Sequence, residues 1–456
     1  MAVDRSRLPS PGELTPFHFP PIERRALASG LRVWTVEHRA VPLISLLVLV
    51  RRGAAADPAG QEGLAAIVGD LLDEGTGALD AHAFHEALGR IGAHLETEVG
   101  SDATLLGLTV LSRFADRGVA LVADMVRQPR LDIRDFERVR DLRLNRLVQI
   151  RDMPTALADR AFTELVYGSH PYGHLAIGSE DSLRALTLDS VRAFHDQAYV
   201  PANVTVIAAG DGSHDELAGL VERAFGDWPP GAGTARDDRQ VLADPPWPST
   251  RLGLLHRPGA AQSELRMGHM SVGRSHPDYL QLLVLNMVLG GQFVSRINMN
   301  LREDKGYTYG VRTAFEARRG PGPFLLQASV QSEATGEAIK ESIAEIEAIR
   351  GERPVTRDEL DTGRAALTRG YPRNFETAEQ VARAAAQMAL HDLPEDYYTT
   401  FVPRVLAIDE HTVTQVAARH LDSSRLLTVI VGDRDRIGPA LAPLALGEPL
   451  DLAVTA

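Results

Sequence analysis

The sequence predicts an α+β protein made of two homologous halves, each a sheet packed with helices. Three observations carry that expectation. The chain has 456 residues, which suggests two to three domains at about 100–200 residues each. Two distant stretches repeat one pattern. A proline-rich segment lies between them.

The repeat is specific. In the first half, Leu186-Thr187-Leu188-Asp189-Ser190-Val191 opens a helical stretch to Tyr199, followed by Val204-Thr205-Val206-Ile207-Ala208-Ala209-Gly210-Asp211. In the second half, Ile408-Asp409-Glu410-His411-Thr412-Val413 opens another, followed by Leu427-Thr428-Val429-Ile430-Val431-Gly432-Asp433. Each reads as capped helix, short connection, buried strand and turn. Asp189 and Asp409 are the expected N-caps, because a carboxylate accepts the orphan N–H groups of a helix start. The Thr-Val-Ile runs ending in Gly-Asp read as buried strands closing in a turn.

Between the repeats stand Trp228-Pro229-Pro230-Gly231-Ala232-Gly233-Thr234, then Asp237, Asp238 and Pro245-Pro246-Trp247-Pro248. Two proline clusters with Gly and Asp between them make a linker. The expected division is a first domain over 1–230, a linker over 231–250 and a second domain over 251–456.

Within each half the strands come early. Leu31 to Glu37 alternates, and Leu43 to Val50 reads as a more deeply buried strand. Gly322 to Val330 is the matching run in the second half, and Glu337 to Arg350 and Ala378 to Leu390 read as helices. Strands and helices in mixed order fit a sheet layered with helices in each half.

Composition narrows function. The formal net charge is −13; nucleic-acid binding, which needs clustered Lys and Arg, is not expected. The absence of cysteine removes disulfides, thiolate zinc sites and a cysteine nucleophile. No run of about 18 apolar residues points to a membrane span. Met1 to Pro9 carries no apolar signal-peptide core, so the cytoplasm is the expected compartment, and a periplasmic location stays open.

Gly63-Leu64-Ala65-Ala66-Ile67-Val68-Gly69-Asp70-Leu71-Leu72-Asp73-Glu74-Gly75-Thr76 resembles the metal-binding helix of the pitrilysin/insulinase peptidases, which reads G-L-A-H-x-x-E-H-x-x-x-x-G-T. There, two histidines four apart share a helix face and hold zinc, and the glutamate between them deprotonates bound water. Here Ala66 and Asp70 stand for the histidines and Gly69 for the glutamate. The stretch from Phe136 to Pro154 resembles the segment that supplies the third ligand, and that frame puts Arg146 at the ligand position. An ion pair between Asp70 and Arg146 is the expected filling of the former metal site, since a lone buried charge is costly. No metal is expected in this chain.

Other histidines give no better site. His170 and His174 are four apart, but Pro171 and Gly173 make that segment a turn. His82 and His85 read as helix-surface residues, and His195 as a packing or capping residue.

Val288-Leu289-Gly290-Gly291-Gln292-Phe293-Val294-Ser295-Arg296-Ile297, with Asn300 to Val311, resembles the bacterial two-subunit branch of the same family, L-G-G-G-x-x-S-R-L…L-R-E-x-x-G-x-x-Y-x-V. In that branch the Arg and Tyr reach into the zinc site of a catalytic partner and hold the scissile carbonyl. By position those roles fall on Arg302 and Tyr309, with Tyr307 and Arg312 as substitutes if the strand face is offset. Without the family frame, the same residues read as an Arg302 paired with Glu303 or Asp304 and an ordinary strand aromatic. Gly290 and Gly291 are candidate contacts for peptide backbone. Ala93 to Thr104 resembles the edge strand beside the zinc site, making Glu96, Thr97 and Glu98 candidates for binding a peptide as an added strand. Glu96 and Glu98 serve equally as charges protecting an exposed edge.

The resemblance implies two α/β half-domains, each a mostly antiparallel sheet with helices, forming one half of a clamshell. It implies a non-catalytic subunit of a heterodimeric zinc peptidase, with zinc and H-x-x-E-H in a homologous partner and a peptide as substrate. The alternatives are an inactive scaffold or peptide-binding protein, a homodimer when alone, and a peptidase with a different metal site.

Overall fold

The computed structural model describes residue 12, residues 16–231 and residues 239–453. Residues 232–238, the middle of the expected linker, and Met1 to Pro9 lie outside the described residues.

The first half opens with β1 (Ile22–Ala26), β2 (Arg32–Glu37), β3 (Leu43–Val50) and α1 (Leu64–Leu72). The short strands β4 (Gly75–Thr76) and β5 (Leu79–Asp80) lead to α2 (Ala81–Arg90), β6 (His94–Val99) and β7 (Thr104–Leu111). Helices α3 (Ala115–Arg127), α4 (Ile133–Arg151), α5 (Pro154–Tyr167), α6 (Glu180–Ala185) and α7 (Leu188–Ala198) follow, then β8 (Val204–Gly210) and α8 (His214–Phe225).

After the short α9 (Arg239–Leu242), the second half runs β9 (Leu252–His256), β10 (Gln262–Met270), α10 (Tyr279–Leu289), α11 (Arg296–Asn298), β11 (Thr308–Phe315) and β12 (Pro323–Gln331). Helices α12 (Thr335–Ala348), α13 (Arg357–Thr368), α14 (Ala378–His391), α15 (Tyr397–Leu406) and α16 (Glu410–His420) come next. The chain closes with β13 (Leu427–Gly432), α17 (Arg434–Leu441) and β14 (Leu450–Asp451). No described helix is long and apolar enough to cross a membrane.

The two sheets share one plan. The first is ordered β1-β2-β8-β3-β7-β6 and the second β11-β12-β10-β13-β9-β14. In each, the late buried strand pairs in parallel with the first core strand, β8 with β2 and β13 with β9. The pairings of β8 and β7 with β3, and of β13 and β12 with β10, are antiparallel. The edge strands β6 and β11 occupy corresponding places.

Strand β3 is buried along nearly its whole length because both faces of its sheet are covered. Ile44, Leu46, Val48 and Val50 pack with the helices of their own half. Leu47 and Leu49 point the other way, into a core shared with Val381, Ala382, Ala385 and Ala389 of α14. The exchange is mutual: Phe162, Val166 and Tyr167 of α5 pack against Leu325, Leu427 and Val429 of the second sheet. Arg266 fixes the joint, its Nε donating to Asp159 at 2.5 Å and its Nη2 to the Thr155 carbonyl at 3.2 Å.

One cap differs from expectation. Asp409 caps α16, accepting from the Thr412 N–H at 2.8 Å. Helix α7 is capped by Thr187, not Asp189: Thr187 and Ser190 form a reciprocal capping box that starts the helix two residues earlier.

Candidate functional site

Helix α1 is held at its start by Asp57, whose carboxylate accepts the N–H groups of Gly63 and Ala65, both at 2.7 Å. Its apolar sequence is buried on all sides, and Asp70 is its one residue that reaches solvent. Asp70 does not meet Arg146. Its Oδ2 accepts from Arg143 Nε at 2.6 Å, while Arg146 donates to Gln149 at 3.1 Å along its own helix. One turn further on, Glu74 of the α1 C-terminal turn pairs with Arg138. Two ion pairs therefore tie α1 to α4. Arg143 stands one helical turn before the position the sequence frame selected, and that phase is set by how α4 packs.

The residues present do not fit a zinc ion. Ala66 offers no donor, and Arg143 already neutralises Asp70. Gly69 has no room for a glutamate: a Cβ there would lie 2.8 Å from Val99 Cγ2 and 3.4 Å from Thr97 Cγ2 of β6.

Among the described residues, two other groups bring imidazoles and carboxylates together: His276, Asp278 and His420, and His256, Asp433 and Asp435. In each, a histidine Nδ1 accepts a backbone N–H at 3.1 Å, His276 from Asp278 and His256 from Arg434. The neutral ring then carries its proton on Nε2 and has no lone pair left for a metal. Arg419 also donates to Asp278 at 2.5 Å, so that carboxylate already has a cation beside it.

The other histidines singled out in the sequence form no metal cluster among the described residues. His170 Nδ1 accepts the Tyr172 N–H, and His174 Nε2 donates to the Ala54 carbonyl. His82 and His85 lie on α2, with His85 3.7 Å from Asp73. His195 is buried, donates Nε2–H to Val126 and stacks on Tyr199; burial pushes its pKa down.

Among the described residues strand β6 pairs only with β7, so it is the sheet edge. Its side chains alternate: Thr97 and Val99 face α1, and Glu96 and Glu98 face α14. There Arg383 donates to Glu96 at 2.8 Å and Glu98 at 3.3 Å. The hydrogen bond from His94, aided by Arg383, holds the Glu96 carboxyl below its usual range.

In the second half, Arg302 and Tyr309 each sit on an irregularity. Arg302 lies in a π-helical turn, Met299–Asp304, a feature that concentrates at functional sites. Gly306, at φ 67°, turns the chain into β11. The register of β11 against β12 then breaks between Thr308 and Val311. Thr308 Oγ1 accepts from the Gly310 N–H and donates to the Ser329 carbonyl, stabilising the bulge. A bulge re-aims a side chain, and Tyr309 is left 93% exposed. Tyr307 packs against the core, and Arg312 is exposed.

Arg302 Nη2 pairs with Glu303 at 2.6 Å, and its guanidinium carbon lies 3.3 Å from the Phe293 ring centroid. Gly290 and Gly291 play an internal part: a Cβ on Gly290 would strike Thr313 at 2.5 Å, and one on Gly291 would strike Asn286. Their missing side chains make room for their own scaffold. Sequence reasoning missed Asn298. This buried amide donates to the Gln292 carbonyl at 3.1 Å and the Val311 carbonyl at 2.7 Å, and accepts the Val311 N–H at 2.8 Å. It pins the glycine loop to β11. Only a family-wide comparison at position 298 could have signalled it.

Two family models match the chain, "Insulinase (Peptidase family M16)" over residues 32–178 and "Peptidase M16 inactive domain" over residues 185–367. An uncharacterized zinc protease of Mycobacterium leprae is 28% identical over 401 residues, 87% of either chain. One from Mycobacterium tuberculosis is 28% identical over 420 residues, 90% of this chain and 92% of that one. The crystal structure of a peptidase M16 inactive domain from Pseudomonas fluorescens shares the fold, with TM-score 0.84 at 24% identity over 91% of this chain and 98% of that one. Matched by family models in both halves and repeating one sheet plan across them, the chain belongs to the insulinase, or M16, peptidase family.

Proposed function

We propose that this chain is the non-catalytic subunit of a heterodimeric zinc peptidase and lends Arg302 and Tyr309 to the site of a homologous, H-x-x-E-H-bearing partner. The observation that carries the reading is Tyr309, raised on a bulge and 93% exposed, a poor place for an aromatic ring with no ligand. The zinc belongs to the partner, where it polarises the scissile carbonyl and activates water. In this chain, the Tyr309 phenol donates to the carbonyl oxygen as charge builds there, and the Arg302 guanidinium adds a fixed positive fork. The edge strand β6 offers unpaired main-chain groups to an extended peptide. Glu96 and Glu98 first have Arg383 to satisfy, so main chain rather than carboxylates serves the peptide.

The test is purification of the tagged chain from its own cells, with the companion identified by mass spectrometry. A near-equimolar H-x-x-E-H partner containing zinc supports the reading. In that pair Tyr309→Phe lowers kcat by about 10²–10³, the usual cost of one oxyanion donor. The Arg302–Glu303 ion pair favours a second reading, an inactive scaffold or peptide-binding protein. On that reading Tyr309→Phe leaves the partner's rate unchanged.

A further inference from the structure

Phe293 stands on the glycine loop, three residues beyond Gly290. Phe293 is 63% exposed, so burial does not account for its place. Among the described residues its one close ring contact is Arg302, whose guanidinium carbon stands 3.3 Å from the ring centroid. We infer that Phe293 is the positioning residue for Arg302, holding the guanidinium by its face so that its edge stays free for substrate.

Arg302 projects from a widened π-helical turn, and a long arginine side chain has many rotamers. Its only acidic partner among the described residues is Glu303, a half-exposed neighbour, and such pairs hold weakly. An aromatic ring attracts the face of a guanidinium, whereas its N–H donors lie in the plane. A stack therefore orders Arg302 without using any donor. Among the described residues, Arg302 Nη1 is shielded from solvent and has no hydrogen-bond partner, an unmet donor that costs stability until a ligand reaches it.

Phe293 is itself held. Gly290 packs beneath Thr313, and Asn298 grips the Gln292 carbonyl beside Phe293. The same amide holds both main-chain groups of Val311, two residues beyond Tyr309. One buried side chain thus sets the stacked loop against the strand that aims the tyrosine. The inference rests on the proposed role of Arg302 and adds the residue that preorganises it.

The first arm of the test needs only this chain. Arginines are modified with phenylglyoxal and Arg302 is followed by peptide mass spectrometry, with exposed Arg312 as the internal standard. Phe293→Ala speeds modification of Arg302 at least fivefold, Phe293→Leu nearly as much, and Phe293→Trp stays close to the original rate. An unchanged rate in Phe293→Ala, or protection by Leu equal to that by Trp, overturns the inference. The second arm uses the reconstituted pair with a fluorogenic peptide. Phe293→Ala and Phe293→Leu lower kcat about tenfold with KM within twofold, and Phe293→Trp recovers most of the loss. If Arg302→Ala abolishes turnover while Phe293→Ala does not, the positioning role is wrong and the subunit reading stands. If Arg302→Ala leaves turnover intact, the subunit reading itself has failed.

Discussion

Asp70 and Arg143 meet at 2.6 Å between helices α1 and α4. The pair is partly exposed, with the arginine the more buried partner. Its contribution is therefore modest, about 0.5–1 kcal/mol of coupling in a double-mutant cycle. Arg143→Ala lowers stability by more than Arg146→Ala, which falls within about 0.5 kcal/mol of the parent. Urea unfolding of Asp70→Ala, Arg143→Ala, their double variant and Arg146→Ala checks both statements, and equal losses at 143 and 146 would refute the assignment.

Gly69 is confined by β6. Gly69→Ala destabilises by roughly 1–3 kcal/mol through overpacking against Val99. Adding Val99→Ala removes most of that difference. The same obstruction governs attempts to rebuild a metal site. Ala66→His, Gly69→Glu, Asp70→His and Arg143→Glu together bind zinc poorly by calorimetry until Val99 is shortened.

His391 makes the fold acid-sensitive. Burial, reinforced by the nearby cations of Arg274 and Arg319, lowers its pKa to about 4, against the partial opposition of Asp102 and Asp392. The unfolded chain takes up this proton near pH 6.5. The contribution is thus fully present above pH 6.5 and is lost as the pH falls toward 4, by up to roughly 3 kcal/mol. Urea midpoints at pH 7.5 and pH 5 measure the loss, and His391→Leu flattens the dependence. A His391→Leu profile as steep as the parent's would assign the acid sensitivity elsewhere.

Tyr309 touches little of its own chain, so Tyr309→Phe changes stability by less than about 0.5 kcal/mol. Unchanged thermal unfolding of this variant means that any loss of turnover in the complex comes from the missing hydroxyl, not from misfolding.

Much of the architecture is legible in local patterns. Val204–Gly210 and Leu427–Gly432 are β-rich apolar runs closed by glycine, and they are buried at every position. The helix start at Asp409 follows from one residue. At Thr187 and Asp189, two competent caps stand two apart, and the partner at Ser190 decides between them. Arg143 and Arg146 are alike in sequence, and only the rotation of α4 against α1 separates them. Asn298 and Arg383 act on residues 13 and 285 to 287 positions away, where no local pattern reaches. The alanine-rich α14 announces close packing, but not that it packs on the other half's sheet.

That exchange of helices α5 and α14 makes the chain an internal dimer with swapped arms. Severed from its sibling, the first half would display Leu47, Leu49, Ile207 and Ala209 as a bare greasy sheet face, an invitation to aggregate. The two halves therefore behave as one folding unit, and trimming either one exposes the sheet of the other. Two copies of one plan each lay a helix over the other's sheet, so each half shields the apolar face its sibling cannot cover alone.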